Sequence, residues 1–241
     1  MNLAIDIGNK KIKIAVFRDN RIIEIFDCLT EKAESLDFPE RWKDFKIEKC
    51  GISSVVPEVN FVIEKKINLF FKIKPIILNY KDCKIKVKIK NPHKAGIDRI
   101  VNCKSACEIF GFPVIVIDIG TATTIDFVDK YKSFIGGFIL PGPELWTNSL
   151  KKTALIKNIG SFFSGGIGKD TVSAINLGMK YGLAGGIEKI VYKIKKNFGE
   201  SIIVLTGGYC MEFSRYLNFD KKIRKYLTLE GINIILEENE N

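Results

Sequence analysis

The 241-residue sequence predicts an α/β protein with mixed sheets, built from two similar halves. The tetrapeptide Ile-Asp-Ile-Gly occurs at 5–8 and again at 117–120, followed each time by a short polar stretch and a second β-rich run. The two aspartates, Asp6 and Asp118, are 112 residues apart, which is close to half of the chain. In each half strands come first, and helices then alternate with strands. We therefore predict two duplicated domains, 1–111 and 112–241, whose glycine turns face a common cleft.

The individual elements follow from β-branched runs, turn residues and prolines. In the first half the pattern predicts a hairpin at 3–17, strands at 21–28, 48–55, 73–78 and 84–90, a helical tendency over 30–45, and helices at 57–71 and 97–110. In the second half it predicts a hairpin at 114–128, strands at 133–140 and 201–205, helices at 144–154, 171–181 and 187–198, a glycine- and serine-rich loop at 156–168, and an acidic tail introduced by 229–233.

The hairpin at 114–128 is the stretch that suggests chemistry. Asp118 precedes its turn, Gly120 lets the backbone approach a ligand, and the hydroxyls of Thr121, Thr123 and Thr124 follow. This combination suits an oxyanion such as phosphate. An ordinary hairpin with a hydrogen-bonded aspartate in its turn is the alternative, and the second copy at 5–8 favours the phosphate interpretation.

Composition restricts the classes of protein. The net charge of +10, from 38 Lys plus Arg and 28 Asp plus Glu, suits nucleic acid or an anionic small ligand such as a nucleotide. The lysines are scattered, which makes nucleic-acid binding the weaker of the two. No apolar run approaches the roughly 20 residues that span a bilayer, so no membrane segment is expected. Met1 leads directly into a strand, and we therefore expect a cytoplasmic protein without a signal peptide.

The cysteines and the single histidine give little indication of a metal site or of a catalytic site. The six cysteines contain no CxxC pair, and Cys103 with Cys107 on a helix makes no zinc site with one distant histidine. Reduced, mostly buried thiols are expected. The single histidine, His93, lies in a turn beside Pro92 and argues against a Ser-His-Asp triad.

Three other motifs are weaker. The loop 165–171 has Asp170 after Lys169 and therefore fails the P-loop pattern, although Thr171 would open a helix. Gly96-Ile97-Asp98-Arg99 begins a helix, where an acid is favoured by capping alone but could also act as a base beside an anion clamp. The turn 206–208 follows a β-run and could lie against a nucleotide.

Taken together and in this order, the motifs resemble those of one family. They are Asp6 to Asn9, Ser53 to Pro57, Asn91-Pro92 with Gly96 to Arg99, Asp118 to Thr124, Gly136 to Gly142, Thr153-Ala154, Ile167 to Thr171 and Thr206 to Gly208. The chain is similar over nearly its whole length to the type III pantothenate kinases of the acetate and sugar kinase, Hsp70 and actin superfamily. The resemblance implies duplicated ribonuclease-H-like domains with ATP in the cleft between them. It also implies phosphorylation of pantothenate to 4′-phosphopantothenate, the first step of coenzyme A biosynthesis.

The resemblance also implies roles for individual residues. Asp98 matches the general base, and Gly96, Ile97, Asp98 and Arg99 match pantothenate contacts, together with Thr171 and the position of Ile89. Asp118 matches the ligand of a monovalent cation, K⁺ or NH₄⁺, and Asp6 is a possible indirect Mg²⁺ ligand. Thr121 matches an ATP contact from the second turn. The first phosphate loop corresponds to Asp6, Ile7, Gly8, Asn9, Lys10, Lys11, Ile12 and Lys13. Family members form homodimers with shared substrate pockets.

Two positions depart from the family pattern. Lys10 stands where the family usually has threonine, so a hydroxyl is replaced by a cation. Ile89 stands where many members carry an aromatic residue facing the substrate. The alternatives that remain are a transcriptional accessory factor without kinase activity and a kinase for another small alcohol.

Overall fold

The computed structural model describes residues 1–154 and 166–239 of the chain. It divides into two compact units, the first formed by 1–111, 132–134 and 226–241, and the second by 112–131 and 135–225. Each unit is an α/β structure around a mixed sheet, which confirms the predicted fold class. The units differ from the predicted halves because 132–134 and the last helix belong to the first unit.

The described residues form strands and helices in the following order. The strands are β1 (Asn2–Ile7), β2 (Lys11–Arg18), β3 (Arg21–Leu29), β4 (Lys49–Ser54), β5 (Ile76–Ile77), β6 (Lys86–Val87), β7 (Val114–Ile119), β8 (Ala122–Val128), β9 (Ser133–Pro141), β10 (Ile202–Thr206) and β11 (Lys222–Ile223). The helices are α1 (Asn60–Phe71), α2 (Ile97–Phe110), α3 (Pro143–Ala154), α4 (Thr171–Phe198), α5 (Cys210–Phe213) and α6 (Leu227–Glu238).

The sheet of the first unit has the strand order β3-β2-β1-β4-β5. The central strand β1 pairs antiparallel with β2 and parallel with β4. Side chains alternate between the two faces of a strand. Leu3, Ile5 and Ile7 therefore share one face, where they are fully buried in a core that includes Trp42. Asn2, Ala4 and Asp6 point to the opposite face.

Helices α2 and α6 cover this opposite face. A Cβ on Gly51 of β4 would lie 2.7 Å from Ile232 of α6, and a Cβ on Gly231 would lie 2.7 Å from Val101 of α2. The glycines therefore allow close contact from sheet to α6 and from α6 to α2. Buried polar pairs fix the same packing, since Thr228 donates to Asn102 at 2.8 Å.

The sheet of the second unit repeats this arrangement. Its strands lie in the order β9-β8-β7-β10-β11, with β7 antiparallel to β8 and parallel to β10. The buried core on one face includes Ile117, Ile119, Leu183 and Ile187. At the start of β9, Ser133 and Phe134 of the first unit pair in parallel with β6.

Several predicted elements need correction. Residues 30–35 and 40–44 form short 3-10 helices, and the strands predicted at 73–78 and 84–90 shorten to two residues each. Lys84 has a φ of 48°, which lies outside the range of an extended strand and prevents a strand from beginning there.

The helical pair predicted at 171–181 and 187–198 is one helix of 28 residues, α4. Three glycines at 182–186 suggested a break, since each costs about 1 kcal/mol in a helix interior. The buried stripe of Leu183, Ala184 and Ile187 carries the helix through this segment.

The expected acidic tail is instead the buried helix α6. Its apolar residues Leu229, Ile232 and Leu236 recur at helical spacing, and this pattern was the signal that could have identified it. Residues 155–165, which cover most of the predicted loop at 156–168, lie outside the described residues. Within the described part, no helix is both long and apolar enough to cross a membrane.

Candidate active site

The first glycine turn places a row of three polar side chains at the end of β1. Asp6 is the register partner of Lys13 on β2 and of Ser53 on β4, so the three side chains leave the same face of the sheet. The Lys13 Nζ lies 4.0 Å from the Asp6 Oδ2. This face is the one that α2 and α6 cover, and it brings the Asp6 carboxylate towards the beginning of α2.

The turn itself is held by backbone hydrogen bonds. The Gly8 N–H donates to the Lys11 carbonyl at 3.0 Å, and the hydroxyl of Thr30 donates to the Gly8 carbonyl at 2.7 Å. The Thr30 N–H donates to the Lys10 carbonyl at 3.0 Å. Asn9 and Lys10 are exposed at the tip. The turn therefore presents a fixed backbone, as a phosphate-binding turn requires.

Not every residue predicted for this turn offers its side chain. Ile7 and Ile12 are fully buried in the core, so only their main chains are within reach of a ligand. Lys11 Nζ lies 2.5 Å from Asp27 on β3. Lys13 is the cation of this turn that faces Asp6.

Asp98 occupies the first turn of α2, beside Gly96. Its Oδ1 accepts a hydrogen bond from the Arg99 N–H at 2.9 Å, and a Cβ on Gly96 would lie 2.5 Å from the same oxygen. Burial raises the pKa of the Asp98 carboxyl, while the backbone N–H and charge of Arg99 and the charge of Lys13 act in the opposite direction. A partly exposed carboxyl with a raised pKa suits a group that accepts a proton.

Three of the other residues predicted to contact pantothenate belong to the same unit as Asp98. The Arg99 guanidinium lies 5.8 Å from the centroid of the Phe134 ring. Ile97 is 9% exposed and packs inward, which leaves its main chain for a ligand. Ile89 is half-buried in the segment between β6 and α2.

The second glycine turn, in the second unit, repeats the geometry of the first. Asp118 is the register partner of Thr124 on β8 and of Thr206 on β10. Gly207 has a φ of 94°, and a Cβ there would overlap the Asp118 Oδ1 and the Ile119 carbonyl oxygen. Only glycine therefore leaves the space beside this carboxylate open.

Thr121 is fixed by the segment that follows β9. The Gly142 N–H donates to the Thr121 carbonyl at 3.0 Å, and a Cβ on Gly142 would overlap the Gly120 and Thr121 carbonyl oxygens. The Thr121 side chain is partly exposed. Its hydroxyl is therefore carried by a backbone that two elements hold in place.

The donor set fits cations that bind mainly to phosphates and water. Among the described residues no cluster of three His, Cys, Asp or Glu side chains could hold a metal ion. Asp6 and Asp118 are single hard oxygen ligands at strand ends, and Mg²⁺ in phosphoryl-transfer enzymes is bound by one or two carboxylates plus substrate phosphates. At the second turn, the Asp118 carboxylate and the Ile119 carbonyl oxygen lie together beside Gly207.

Thr171 lies where the sequence predicted it, at the first position of α4. The preceding Asp170 caps the helix, with its Oδ1 accepting from the Ser173 N–H at 2.9 Å. Thr171 is exposed and belongs to the second unit. The lower pKa of Asp170 follows from the Ser173 N–H, so this carboxylate has a capping function.

Sequence reasoning missed the neighbours that the sheets supply. Ser53 was noted only as part of a motif, and Thr124 and Thr206 only as members of turns. The positions of Ser53 beside Asp6 and of Thr206 beside Asp118 depend on strand pairing over long sequence separations, which no local pattern reveals, whereas Thr124 lies opposite Asp118 in the hairpin that the sequence predicts. Lys104 was also missed: it is 2% exposed and lies 2.8 Å from Glu108 and 2.7 Å from Glu238.

Comparison with known proteins adds independent findings. The family model for type III pantothenate kinase matches residues 2–193. A type III pantothenate kinase from Finegoldia magna is 33% identical, over 99% of this chain and 98% of its own length.

Two solved structures have similar folds. A protein from Campylobacter jejuni, grouped with the Baf family of transcriptional activators, superimposes with a TM-score of 0.61 at 23% identity, covering 98% of each chain. A ROK family protein from Streptococcus pneumoniae superimposes with a TM-score of 0.52 at 11% identity, covering 100% of this chain and 99% of its own. At these identities the similarities establish the fold alone.

Proposed function

The chain belongs to the type III pantothenate kinase family, and from this premise we propose how its residues divide the reaction. The enzyme uses ATP to phosphorylate pantothenate to 4′-phosphopantothenate, which opens coenzyme A biosynthesis. The observation that carries the assignment of roles is Asp98, a carboxyl with a raised pKa in the first turn of α2, whose charge interacts with that of Lys13 beside the first glycine turn.

Asp98 is proposed as the general base. The terminal hydroxyl of pantothenate must lose its proton as its oxygen attacks the γ-phosphorus of ATP. A carboxylate whose pKa is raised by burial binds that proton more strongly than an exposed one. The hydrogen bond from the Arg99 N–H leaves the second oxygen of Asp98 to receive the proton.

Arg99 is proposed to bind the pantothenate carboxylate. A guanidinium can donate two parallel hydrogen bonds to a carboxylate, which an ammonium cannot. The adjacent Gly96 and Ile97 supply main chain at the start of α2, and Ile89 and Thr171 are proposed as further pantothenate contacts. Because Ile89 replaces the usual aromatic residue, it is proposed to offer pantothenate an aliphatic surface and no aromatic ring.

The two glycine turns are proposed to bind the phosphates of ATP. Residues 6–13 offer the fixed backbone of the first turn, with Lys10 and Lys13 as cations, and Thr121 offers a hydroxyl from the second. Positive charge and N–H groups that are already positioned stabilise the charge on the transferring phosphoryl group. Lys10 then contributes charge where most relatives contribute a hydroxyl.

Two cations are proposed to assist. Mg²⁺, as the divalent ion of the ATP substrate, neutralises phosphate charge when bound, and Asp6 would hold it through water. Asp118, with the space that Gly207 leaves, would hold a monovalent cation, K⁺ or NH₄⁺. A homodimer in the cytoplasm is proposed as well, from the resemblance. Exposed apolar side chains at Phe138, Ile139 and Leu145 support an interface between subunits.

The assignment is tested by ADP release from the purified chain, measured with and without pantothenate in potassium and then in sodium buffer. We expect ADP release that depends on pantothenate and is faster in potassium. ADP release that does not respond to pantothenate would contradict the function. Equal rates in the two buffers would remove the monovalent-cation role from Asp118.

A further inference from the structure

The hydroxyl of Ser53 has no hydrogen-bond partner among the residues that the structure describes, although Ser53 is 0% exposed. Buried hydroxyls in proteins nearly always have a partner, because an unmet hydrogen bond in the interior costs free energy. The next residue provides a contrast, since the Ser54 Oγ accepts a hydrogen bond from the Val56 N–H at 3.2 Å. The folded first unit therefore gains nothing from the Ser53 hydroxyl as a hydrogen-bonding group.

The position of Ser53 indicates what the hydroxyl could serve. Ser53 and Asp6 are register partners on the parallel strands β4 and β1, which places their side chains next to each other on one face. On the other side of Asp6, Lys13 Nζ lies 4.0 Å from Oδ2, which is longer than a hydrogen bond. Asp6 therefore has a hydroxyl donor on one flank and a partly exposed lysine on the other.

We propose that Ser53 is a positioning residue for Asp6, and that its hydroxyl donates a hydrogen bond to the Asp6 carboxylate when Mg-ATP occupies the first glycine turn. The proposal rests on the proposed function of that turn. An ionised carboxylate only accepts hydrogen bonds and has room for several donors. Carboxylates that orient a metal or its water ligands are themselves held by an outer hydrogen bond.

The position of Lys13 explains why the hydrogen bond from Ser53 to Asp6 is expected to form only when Mg-ATP is bound. The Lys13 side chain is 32% exposed and can turn towards the phosphates of ATP. When the ammonium turns towards the phosphates, it interacts less with the Asp6 carboxylate, and the buried hydroxyl of Ser53 is a donor on the other flank of that carboxylate. The hydroxyl then fixes the carboxylate while Lys13 neutralises phosphate charge.

A second buried serine provides a matched control. Ser105 on α2 is also 0% exposed and also has a hydroxyl without a partner among the described residues, but it lies beside Gly231 of α6 and away from Asp6. Replacing either serine with alanine keeps the Cβ and removes one unpartnered hydroxyl. Any difference between the two variants therefore reflects the neighbourhood of Asp6.

The test compares S53A, S105A and the unchanged enzyme by thermal melting, without ligand and with Mg-ATP, and by the KM for ATP. Without ligand, we expect both variants to melt at or above the temperature of the unchanged enzyme. With Mg-ATP, only S53A should show a smaller stabilisation, and its KM for ATP should rise about tenfold, the loss expected for one hydrogen bond to a charged group. In a D6N background, S53A should have no further effect.

Three results would overturn the proposal. One is equal stabilisation of S53A and the unchanged enzyme by Mg-ATP. Another is a lower melting temperature of S53A without ligand, which would give the hydroxyl a role in folding. The third is a full effect of S53A in the D6N background. If Mg-ATP fails to stabilise even the unchanged enzyme, the proposed function fails, and the Ser53 proposal fails with it.

Discussion

At the scale of single residues, the chemistry depends on the environment of Asp98. Its carboxyl is held beside Gly96, where any larger residue would collide with the Oδ1. Burial favours the neutral form, while Arg99 and Lys13 favour the ionised form. Because burial is the largest of these effects, the pKa of Asp98 is above the ordinary value for an aspartate.

The first prediction concerns the pH dependence of the rate. Only ionised Asp98 can accept the proton, so kcat/KM for pantothenate should fall as the pH falls through the raised pKa of Asp98. The acid limb should therefore lie above the ordinary aspartate pKa of about 3.9. The profile of kcat/KM against pH measures it. An acid limb at or below that ordinary value would remove Asp98 from the role.

A second prediction concerns stability. A raised carboxyl pKa means that the folded state holds the proton more tightly than the unfolded state, so stability falls as the pH rises through the interval between the two pKa values. D98N cannot ionise, and it should therefore melt at a higher temperature than the unchanged enzyme at pH 7. The difference should narrow as the pH is lowered towards the unfolded-state value. A variant that melts lower at pH 7 would contradict this account.

Arg99 gives the third prediction. R99K keeps the positive charge but loses the paired hydrogen bonds, so the KM for pantothenate should rise roughly 10- to 100-fold. The KM for ATP serves as the internal control and should stay within about twofold of its original value, because the first glycine turn is untouched. If R99K changed only the KM for ATP, the proposal that Arg99 binds pantothenate would be wrong.

At the scale of elements, the position of Asp98 depends on how α6 supports α2. The two helices meet at Gly231, where a Cβ would lie 2.7 Å from both the Val101 Cγ1 and the Val101 carbonyl oxygen. Backbone cannot move aside as a flexible side chain can.

A buried lysine also lies on α2. Burial lowers the pKa of Lys104, but its hydrogen bonds to Glu108 and Glu238 outweigh that effect and raise the pKa overall, so the lysine remains charged.

The fourth prediction uses two glycines with opposite surroundings. G231A should lower the free energy of unfolding by about 1–3 kcal/mol through overpacking between α2 and α6. G178A is the control, since Gly178 is exposed on α4 with no atom within 4 Å of its Cβ position. The free energy of unfolding of G178A should rise by about 0.5–1 kcal/mol, because alanine lowers the backbone entropy of the unfolded chain. Urea denaturation measures both, and equal effects would contradict the packing argument.

The sequence alone was sufficient to predict the strands and helices that are marked by local sequence features. Both hairpins, strand β4 and helix α2 lie within one or two residues of the predicted bounds, because β-branched runs, turn residues and helix starts are local features. Helix α4 was divided wrongly because its glycines weigh against a helix locally, while the buried stripe that stabilises it is tertiary. Helix α6 was missed although its apolar spacing was present, since the acidic residues near it suggested a tail.

The site residues that belong to local motifs could be predicted from the sequence. Those that become neighbours only through strand pairing could not. Asp6, Asp118 and the segment 96–99 were identified as motifs. The flanking residues Ser53 and Thr206 become neighbours only through parallel strands far apart in sequence. The burial that raises the pKa of Asp98 is likewise a property of the folded unit. The proposed roles of these residues remain predictions.

At the scale of the whole molecule, the two units share a strand topology as well as the repeated tetrapeptide. Each unit has a central strand with an antiparallel neighbour on one side and a parallel neighbour on the other, in the same order of five strands. In each, an aspartate is the next-to-last residue of the central strand and is flanked by its register partners. The same geometry carries different chemistry, since Asp6 faces a lysine and a serine, whereas Asp118 faces two threonines.

This difference explains why the two copies are given different tasks. A cation beside Asp6 suits the charged phosphates of Mg-ATP, whereas neutral hydroxyl oxygens beside Asp118 suit a monovalent cation. Asp98, which stands at the start of α2 in the first unit, has no equivalent in the repeated tetrapeptide. The proposed base therefore lies outside the repeated motif.

The most direct test is the rate of pantothenate-dependent ADP release by D98N beside the unchanged enzyme, with Mg-ATP binding measured on the same samples. Loss of a general base should reduce kcat by roughly 10²- to 10⁴-fold while the affinity for Mg-ATP stays within about twofold. Turnover by D98N at the rate of the unchanged enzyme would contradict the central claim that Asp98 accepts the proton of pantothenate.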